Sequence, residues 1–303
     1  MEMENSYHIP VLLEECIEGL AIKPSGVYVD VTFGGGGHAR AILNKLDKSG
    51  TLIAFDQDPD AQQNKIDDSR FIFVDQNFGY LKNNLRLLGF KKVDGILADL
   101  GVSSHQFNEP SRGFSTRFEG DLDMRMDKQR ALTASIVLNT YPEDKLHKIF
   151  GMYGEVKNAK SLAKTITTSR LEQPILKLAD FKKTIANHIP KGKENKYMAQ
   201  VFQALRIEVN AEIEVLESFL IQTADVLNPG GRLVVMSYHS LEDRPVKNFI
   251  AKGKFRGEVE KDFFGNEQKP FQAITRKAIV ADEEELEQNS RSRSAKLRIG
   301  ERI

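Results

Sequence analysis

The sequence VYVDVTFGGGGHARAILNKL at residues 27–46 decides the fold. Its first five residues, Val27 to Val31, are mostly β-branched and predict a short strand, whereas His38 to Leu46 predict a helix. Four glycines stand between them, where a backbone with positive φ can approach a ligand without a Cβ in the way. A strand, a glycine-rich turn and a helix in this order are typical of a nucleotide-binding α/β sheet.

Strand-sized and helix-sized segments continue to alternate up to residue 99. Helical crossovers between consecutive strands imply right-handed βαβ units and therefore a parallel sheet. A later group of strands follows near the carboxyl terminus, so that seven strands in all predict an α/β, doubly wound, Rossmann-like sheet. The strands after the first are expected at 51–55, 71–74, 93–98, 232–236, 271–280 and 295–299.

The alternation of strand and helix stops after Gly101. Residues 105–130 mix Gly, Pro, Ser and charge, which predicts a long loop, and 133–189 contain helical segments without a clear strand. We therefore expect an all-helical domain, residues 114–196, inserted after strand four of a discontinuous domain formed by 1–113 and 197–303. One long helix is then predicted from a single apolar stripe: Met198, Phe202, Leu205, Val209, Ile213, Leu216 and Leu220.

Composition restricts the class of protein. The chain has 303 residues, of which 40% are hydrophobic and 28% charged, as in an ordinary soluble domain. It has no apolar run near the roughly 18 residues of a membrane span, and its acidic start is unlike a signal peptide. The single cysteine, Cys16, excludes an intramolecular disulfide. We expect a cytoplasmic protein that does not contact membranes.

The formal net charge is zero, but basic residues are concentrated in the expected insert. Between residues 157 and 196 ten Lys or Arg stand against three acids, whereas five of the six residues 282–287 are acidic. Such a stretch is either a solvated face or a surface for nucleic-acid phosphates. The ten cations are Lys157, Lys160, Lys164, Arg170, Lys177, Lys182, Lys183, Lys191, Lys193 and Lys196.

The glycine turn and the acid that follows strand two, Asp56, suit a ribose-containing cofactor. An acid at this position accepts hydrogen bonds from a ribose diol, which both NAD and S-adenosylmethionine have. A tight turn beside an exposed acid would be the purely structural interpretation. Two further polar segments favour a methyltransferase, because Asp75 to Phe78 could contact an adenine and Asp99 to Ser104 forms a polar turn. Strand ends converge at one edge of such sheets.

Further motifs resemble the bacterial rRNA small-subunit methyltransferase H family, also called MraW, over nearly the whole chain. They lie at residues 7–12, 33–38, 56–59, 99–104, 112–115, 122–127, 202–207, 237–244 and 293–298. The resemblance implies methyl transfer from S-adenosylmethionine to the exocyclic N4 of a cytosine in 16S rRNA, near the decoding centre of the small ribosomal subunit. It also implies the cofactor-binding residues Gly36, Gly37, His38, Asp56, Phe78, Asp99 and Gln106.

The reaction suggests candidate catalytic residues. Cytosine N4 is a poor nucleophile, so the enzyme must orient it and accept its protons, and positioning alone can contribute about 7–11 kcal/mol. Asp99 is the best acceptor, although it could serve the cofactor alone. Tyr238 and His239 follow strand five and could stack on or orient the base, or simply pack in a turn. Methylation at carbon 5 would need a cysteine nucleophile, and Cys16 lies away from every strand end.

The target base must reach the cofactor, so we expect a flipped or single-stranded nucleotide. The basic insert and a tail with Arg291, Arg293, Lys296 and Arg298 are expected to bind rRNA phosphates, with residues 105–130, which carry Arg112, Arg117, Arg125 and Phe114, as a lid. Neither DNA binding nor a metal site is expected, and both monomer and homodimer remain open. A nicotinamide-dependent oxidoreductase and a non-catalytic RNA-binding protein are the alternative functions.

Overall fold

The computed structural model describes residues 10–303 and divides the chain into two compact units. The first contains the described part of Met1–Gly101 together with Glu214–Ile303, and the second is Val102–Ile213. The second unit extends further in both directions than the insert expected at 114–196. Among the described residues no helix is both long enough and apolar enough to cross a membrane.

The first unit is built on a seven-stranded sheet in the order β3-β2-β1-β4-β5-β9-β8, in which β1 to β5 are parallel and the last two pairings are antiparallel. This confirms the predicted Rossmann-like sheet with a terminal pair of strands. The strands are β1 Val27–Asp30, β2 Thr51–Phe55, β3 Phe71–Val74, β4 Val93–Asp99, β5 Leu227–Ser237, β8 Phe271–Ala273 and β9 Lys296–Arg302, and a separate hairpin pairs β6 Glu260–Lys261 with β7 Glu267–Gln268.

Helices cover both faces of this sheet. One face packs residues such as Leu12, Leu20 and Ile42, and the other packs Leu81 and Phe219, all of which are buried. Burial on both faces explains why the central strands are almost continuously apolar. The helices of this unit are α1 Leu13–Leu20, α2 Gly37–Lys45, α3 Leu81–Leu87, α11 Ser240–Lys252 and α12 Glu283–Gln288, and the unit also holds most of α10, Glu212–Val226.

The second unit is helical, with one apolar core and a single isolated β-bridge between Asp121 and Lys177. Its core includes Phe150, Phe181 and Val201, none of which is exposed to solvent. The helices are α4 Ser104–Asn108, α5 Ala134–Thr140, α6 Glu143–Met152, α7 Ala159–Glu172, α8 Leu178–Ile185 and α9 Glu194–Asn210. Short 3₁₀ helices in the chain are Pro59–Asn64, Phe78–Tyr80, Pro110–Arg112, Ala186–His188 and Ser290–Ser294.

Two predictions of secondary structure were wrong. The apolar stripe predicted one helix, but α9 ends at Asn210, the next residue, Ala211, has a left-handed φ of 53°, and α10 starts at Glu212. The apolar stripe continues from α9 into α10 because both helices bury apolar residues. Periodicity alone therefore could not reveal the break between them. The strand expected at 271–280 ends at Ala273, although Ile279 still forms an isolated bridge to Leu297.

The segment 105–130 is mostly loop, as its composition predicted, but it is packed into the core of the helical unit. It contains α4 and a 3₁₀ turn, and Phe114 and Met124 are buried in the core of the helical unit. Arg112 is also buried, and its guanidinium donates to the main-chain oxygens of Arg125 and Met126 at 3.0 and 3.1 Å. The few apolar residues of the segment are therefore used for packing, which a count of apolar residues does not show.

Candidate active site

The glycine turn after β1 has the backbone that its sequence predicted. Gly34 and Gly36 have φ of 48° and 77°, in the left-handed region that a Cβ disfavours. Gly37 opens α2, and a Cβ there would lie 2.3 Å from Cγ of Pro10, so this glycine serves close packing. By contrast, a Cβ on Gly35 would meet nothing within 4 Å. The first main-chain N–H groups of α2, which have no partner within the helix, therefore lie next to this turn.

The ring of His38 is packed in the interior and does not act as a catalytic acid or base. The ring is buried and its Nε2 lies 3.3 Å from the main-chain oxygen of Val11. Burial lowers the pKa of His38 to about 4, so the imidazole is neutral at physiological pH. A contact between His38 and a cofactor would consequently use its main chain.

Asp56, directly after β2, holds the glycine turn in place. Its Oδ2 accepts a hydrogen bond from the N–H of Gly34 at 2.8 Å, and its Oδ1 accepts from the N–H of Asp58 at 2.8 Å. Burial raises the pKa of Asp56 to about 6, although both hydrogen bonds oppose the shift. The side chain expected to bind the ribose therefore also joins the first two strand ends.

Asp99 and Tyr238 meet at the ends of β4 and β5. The Tyr238 hydroxyl donates to Oδ1 of Asp99 at 2.8 Å, and the Asp99 main-chain N–H donates to Thr32 Oγ1 at 2.7 Å. Burial raises the pKa of Asp99 to about 7; the Tyr238 hydrogen bond opposes this shift, and the negative charges of Asp30 and Glu242 add to it. Oδ2 of Asp99 has no hydrogen-bond partner among residues 10–303.

Glu242, which sequence reasoning did not select, holds the Tyr238–His239 turn. Its Oε2 accepts from the Tyr238 main-chain N–H at 3.1 Å, and its Oε1 lies 3.2 Å from Nε2 of His239. Glu242 is buried in the first turn of α11, where the positive end of the helix dipole favours a carboxylate. Because the His239 ring packs against this carboxylate with only 12% of its side chain exposed, the ring is held in one orientation.

Asp30 is a second site residue that the sequence analysis missed. It is the last residue of β1, separated from Gly34 by Val31, Thr32 and Phe33, and is 1% exposed. Thr32 donates to its Oδ1 at 3.0 Å, but Oδ2 is buried with no hydrogen-bond partner in the described chain. Burial raises the pKa of Asp30 to about 7, and the charge of Asp56 adds to the shift. The available signal was an acid at the second-last position of the strand predicted at residues 27–31.

Phe78 and Gln106 lie in different units. Phe78 follows β3 and packs edge-to-face on Phe219, with ring centroids 5.2 Å apart. Gln106 belongs to the helical unit, where its side-chain oxygen accepts from the Ser103 N–H at 3.1 Å and completes the N-terminal cap of α4. Cys16 is fully buried in α1 with a raised pKa, which confirms it as a core residue.

Several cations that were candidates for RNA contact are already engaged. Arg298 binds Asp243 through two hydrogen bonds of 2.6 and 3.1 Å, and both side chains are largely buried. Arg125 binds Asp123 within the helical unit. Lys182 donates to the main-chain oxygen of Thr116 at 2.8 Å. Other cations, which are exposed and make no ion pair with a described residue, are Lys157, Lys160, Lys164, Lys183, Lys191, Lys193 and Lys196.

The chain has close relatives over its whole length. The family model described as the MraW methylase family matches residues 5–303. A ribosomal RNA small subunit methyltransferase H of Christiangramia forsetii is 54% identical over 98% of this chain and 98% of its own. Relatives with the same description in Cytophaga hutchinsonii and Phocaeicola vulgatus are 55% and 54% identical, covering 98% and 99% of this chain and 99% of each relative.

Proposed function

The chain belongs to the MraW methylase family, and from this membership we propose that it methylates the exocyclic N4 of a cytosine in 16S rRNA, near the decoding centre of the small ribosomal subunit. It is an S-adenosylmethionine-dependent methyltransferase. We also propose a cytoplasmic location, since the proposed substrate is the small ribosomal subunit.

One observation carries the cofactor assignment: the first unit gathers carboxylates at the edge of its sheet where β1, β2, β4 and β5 end. Asp30, Asp56 and Asp99 have raised pKa values, with burial as the main cause and neighbouring carboxylates as a further one. A cation at this edge would relieve the repulsion, whereas a pyrophosphate would increase it. The arrangement thus suits S-adenosylmethionine, which carries a sulfonium and an ammonium, better than NAD.

The side chains at these strand ends have separate roles in binding and in catalysis. When bound, S-adenosylmethionine supplies the methyl group. Asp56 lies at the end of β2, where its carboxylate can accept hydrogen bonds from the ribose diol. The turn at Gly34 to Gly37 provides main-chain N–H groups. Asp99 can accept a hydrogen bond from the N4 amino group through Oδ2, which orients the amine and can receive its proton. Tyr238 holds Asp99 through the other oxygen, so the acceptor keeps one orientation.

Two experiments test the proposed function against its alternatives. Calorimetric titration is expected to show binding of S-adenosylhomocysteine and none of NAD; the reverse result would support an oxidoreductase. Incubation with labelled S-adenosylmethionine and unmethylated small subunits is expected to place label on N4 of one cytosine of 16S rRNA. RNA binding without any label would instead support a non-catalytic RNA-binding protein.

Asp56→Ala should weaken binding of S-adenosylhomocysteine by roughly tenfold or more, because a hydrogen bond to a charged group contributes about 1.5–3 kcal/mol. Titration calorimetry measures the dissociation constant. Asp67→Ala is the matched control, since Asp67 is an exposed acid of the same segment that forms no hydrogen bond with any of residues 10–303. An unchanged dissociation constant in Asp56→Ala would contradict the ribose role.

We further propose that the helical unit binds rRNA phosphates. Asn158 at the start of α7 joins two neighbouring basic segments, since its Nδ2 donates to the His188 main-chain oxygen at 3.0 Å and its Oδ1 accepts from the Tyr197 hydroxyl at 3.0 Å. Exposed lysines flank all three of these residues. Clustered, unpaired cations of this kind are what a phosphate backbone requires.

Replacing Lys183, Lys191 and Lys193 together with Gln should weaken rRNA binding and flatten its dependence on salt. Each lost phosphate contact lowers the slope of log K against log salt by about 0.7 to 0.9. Filter binding at several salt concentrations measures the slope. Lys45, Lys48 and Lys91 are exposed in the first unit, and their triple Gln variant is the control. Equal slopes for the two triple variants would contradict the proposed surface.

A further inference from the structure

A hairpin of the first unit presents two phenylalanine rings to solvent. β6 and β7 pair Lys261 with Glu267 in antiparallel register, and Phe263 and Phe264 lie in the turn between them. The two residues are 97% and 86% exposed, with ring centroids 5.6 Å apart and planes at 87°. Single exposed apolar residues are common on protein surfaces, whereas two adjacent, almost fully exposed aromatic rings indicate a recognition surface.

The turn that carries these rings is held by hydrogen bonds. Oδ1 of Asp262 accepts from the main-chain N–H of Phe264 and of Asn266, each at 2.9 Å. Its Oδ2 accepts from Nδ2 of Asn266 at 2.9 Å, and Gly265 takes the left-handed φ of 86° that closes the turn. The rings are therefore presented on a preorganised turn, which reduces the ordering cost of binding.

The base of the hairpin is anchored to α11. Phe255 stacks on Phe249 with centroids 5.3 Å apart, and Asn248 donates to the Phe255 main-chain oxygen at 2.8 Å. Glu242 lies in the first turn of α11, whereas the hairpin follows its last residue, Lys252. The helix has 13 residues, so its two ends are separated by about 20 Å. The hairpin thus follows the end of α11 opposite to the turn that bears Tyr238, His239 and Glu242.

The segment that carries the two rings has a net charge of +1. Residues 252–269 contain five cations and four acids, and every one of the acids is engaged. Asp262 closes the turn, and the other three acids form the ion pairs Lys252–Glu258, Lys254–Glu260 and Lys269–Glu267. Arg256 is exposed and forms no ion pair with the described part of the chain. An anionic partner with planar apolar groups would match both the charge and the rings.

We propose that Phe263 and Phe264 stack on unpaired bases of the small-subunit rRNA that flank the methylated cytosine. This inference rests on the proposed function, which supplies RNA as the substrate. Single-stranded RNA combines phosphates with bases that stack on aromatic side chains whatever their sequence. Two rings are too small a surface for a stable protein dimer, whose interface buries at least about 1,000 Å².

The double variant F263A/F264A tests the proposal. Both residues are exposed, so the variant should fold normally. We expect KM for small subunits and Kd for naked 16S rRNA to rise roughly fivefold or more, as expected for lost base stacking. The value of kcat should not change, because both rings are almost fully exposed to solvent and neither belongs to the group of side chains at the strand ends. Unchanged KM and Kd would overturn the proposal.

Matched replacements distinguish base stacking from other contacts. F263W/F264W keeps large π faces and should retain normal binding, whereas F263L/F264L keeps only apolar surface and should behave like the alanine variant. Normal binding by the leucine variant would indicate an apolar contact with a ribosomal protein, and dissociation of a dimer in F263A/F264A would indicate self-association; either result overturns the proposal. Failure of the unaltered protein to methylate rRNA would refute the proposed function instead.

Discussion

Asp99→Asn is expected to lower kcat by roughly 100-fold, the smaller end of what a positioned proton acceptor contributes. The amide oxygen can still accept the hydrogen bond that Tyr238 donates to Oδ1 of Asp99, so the local structure should persist. What disappears is the negative charge and the acceptor lone pairs of Oδ2. Single-turnover measurements with unmethylated small subunits give the rate, and a loss below about threefold would restrict Asp99 to cofactor binding.

The pH dependence provides a separate test of Asp99. Its pKa is raised to about 7, so the free protein gains the reactive carboxylate as pH rises through that value. We therefore expect kcat/KM, which reports groups of the free enzyme, to increase from roughly pH 6 to pH 8. The Tyr238 hydrogen bond favours the charged form, so Tyr238→Phe should move the midpoint upward. A downward movement, or none, would contradict this coupling.

Asp243→Ala should have the largest effect on stability. Arg298 contacts both oxygens of Asp243, and the two side chains are only 13% and 12% exposed. Removing one member leaves a guanidinium buried without its partner, which costs about 3 kcal/mol or more. Unfolding of the first unit in urea, followed by near-ultraviolet circular dichroism, should show this as a lower midpoint with an unchanged slope.

A paired replacement separates the loss of the ion pair from the loss of volume. Asp243→Leu combined with Arg298→Met leaves no buried charge and should recover most of the lost stability. If the double variant were no more stable than Asp243→Ala, the ion pair would not be the cause. Burial raises the pKa of Asp243, but the contacts with Arg298 and Lys296 outweigh it and hold the pKa below its usual value. The stabilisation is thus present at neutral pH and is lost as pH falls through that lowered pKa.

The sequence was sufficient to predict the sheet and the acids at two of its strand ends. Asp56 and Asp99 were predicted because each directly follows an apolar, strand-sized segment, and parallel strands bring their carboxyl ends to one edge. Asp30 was missed although it lies in the same position on β1, since its significance comes from a buried oxygen without a partner. Glu242 was missed because it contacts Tyr238 and His239 only once the first turn of α11 has formed and brought its carboxylate back to them.

The distribution of charge was only partly predictable. The sequence identified the basic character of the helical unit, and several of those lysines are exposed. It could not show that Lys182 is bound to a main-chain oxygen, or that Arg298 of the tail is paired with Asp243. The exposed pair Phe263 and Phe264 was equally hidden, since two adjacent phenylalanines in a sequence are usually buried.

The sequence by itself thus determined the seven strands of the sheet, the glycine turn and the family of methyltransferases to which the chain belongs. These features depend on residue type and on spacing over a few positions, which a single chain displays directly. Tertiary structure alone decided which polar groups are engaged, because Tyr238 meets Asp99 from 139 positions away and Arg298 meets Asp243 from 55. Tertiary packing also buries Asp99, and this burial raises its pKa although the Tyr238 hydrogen bond opposes the shift.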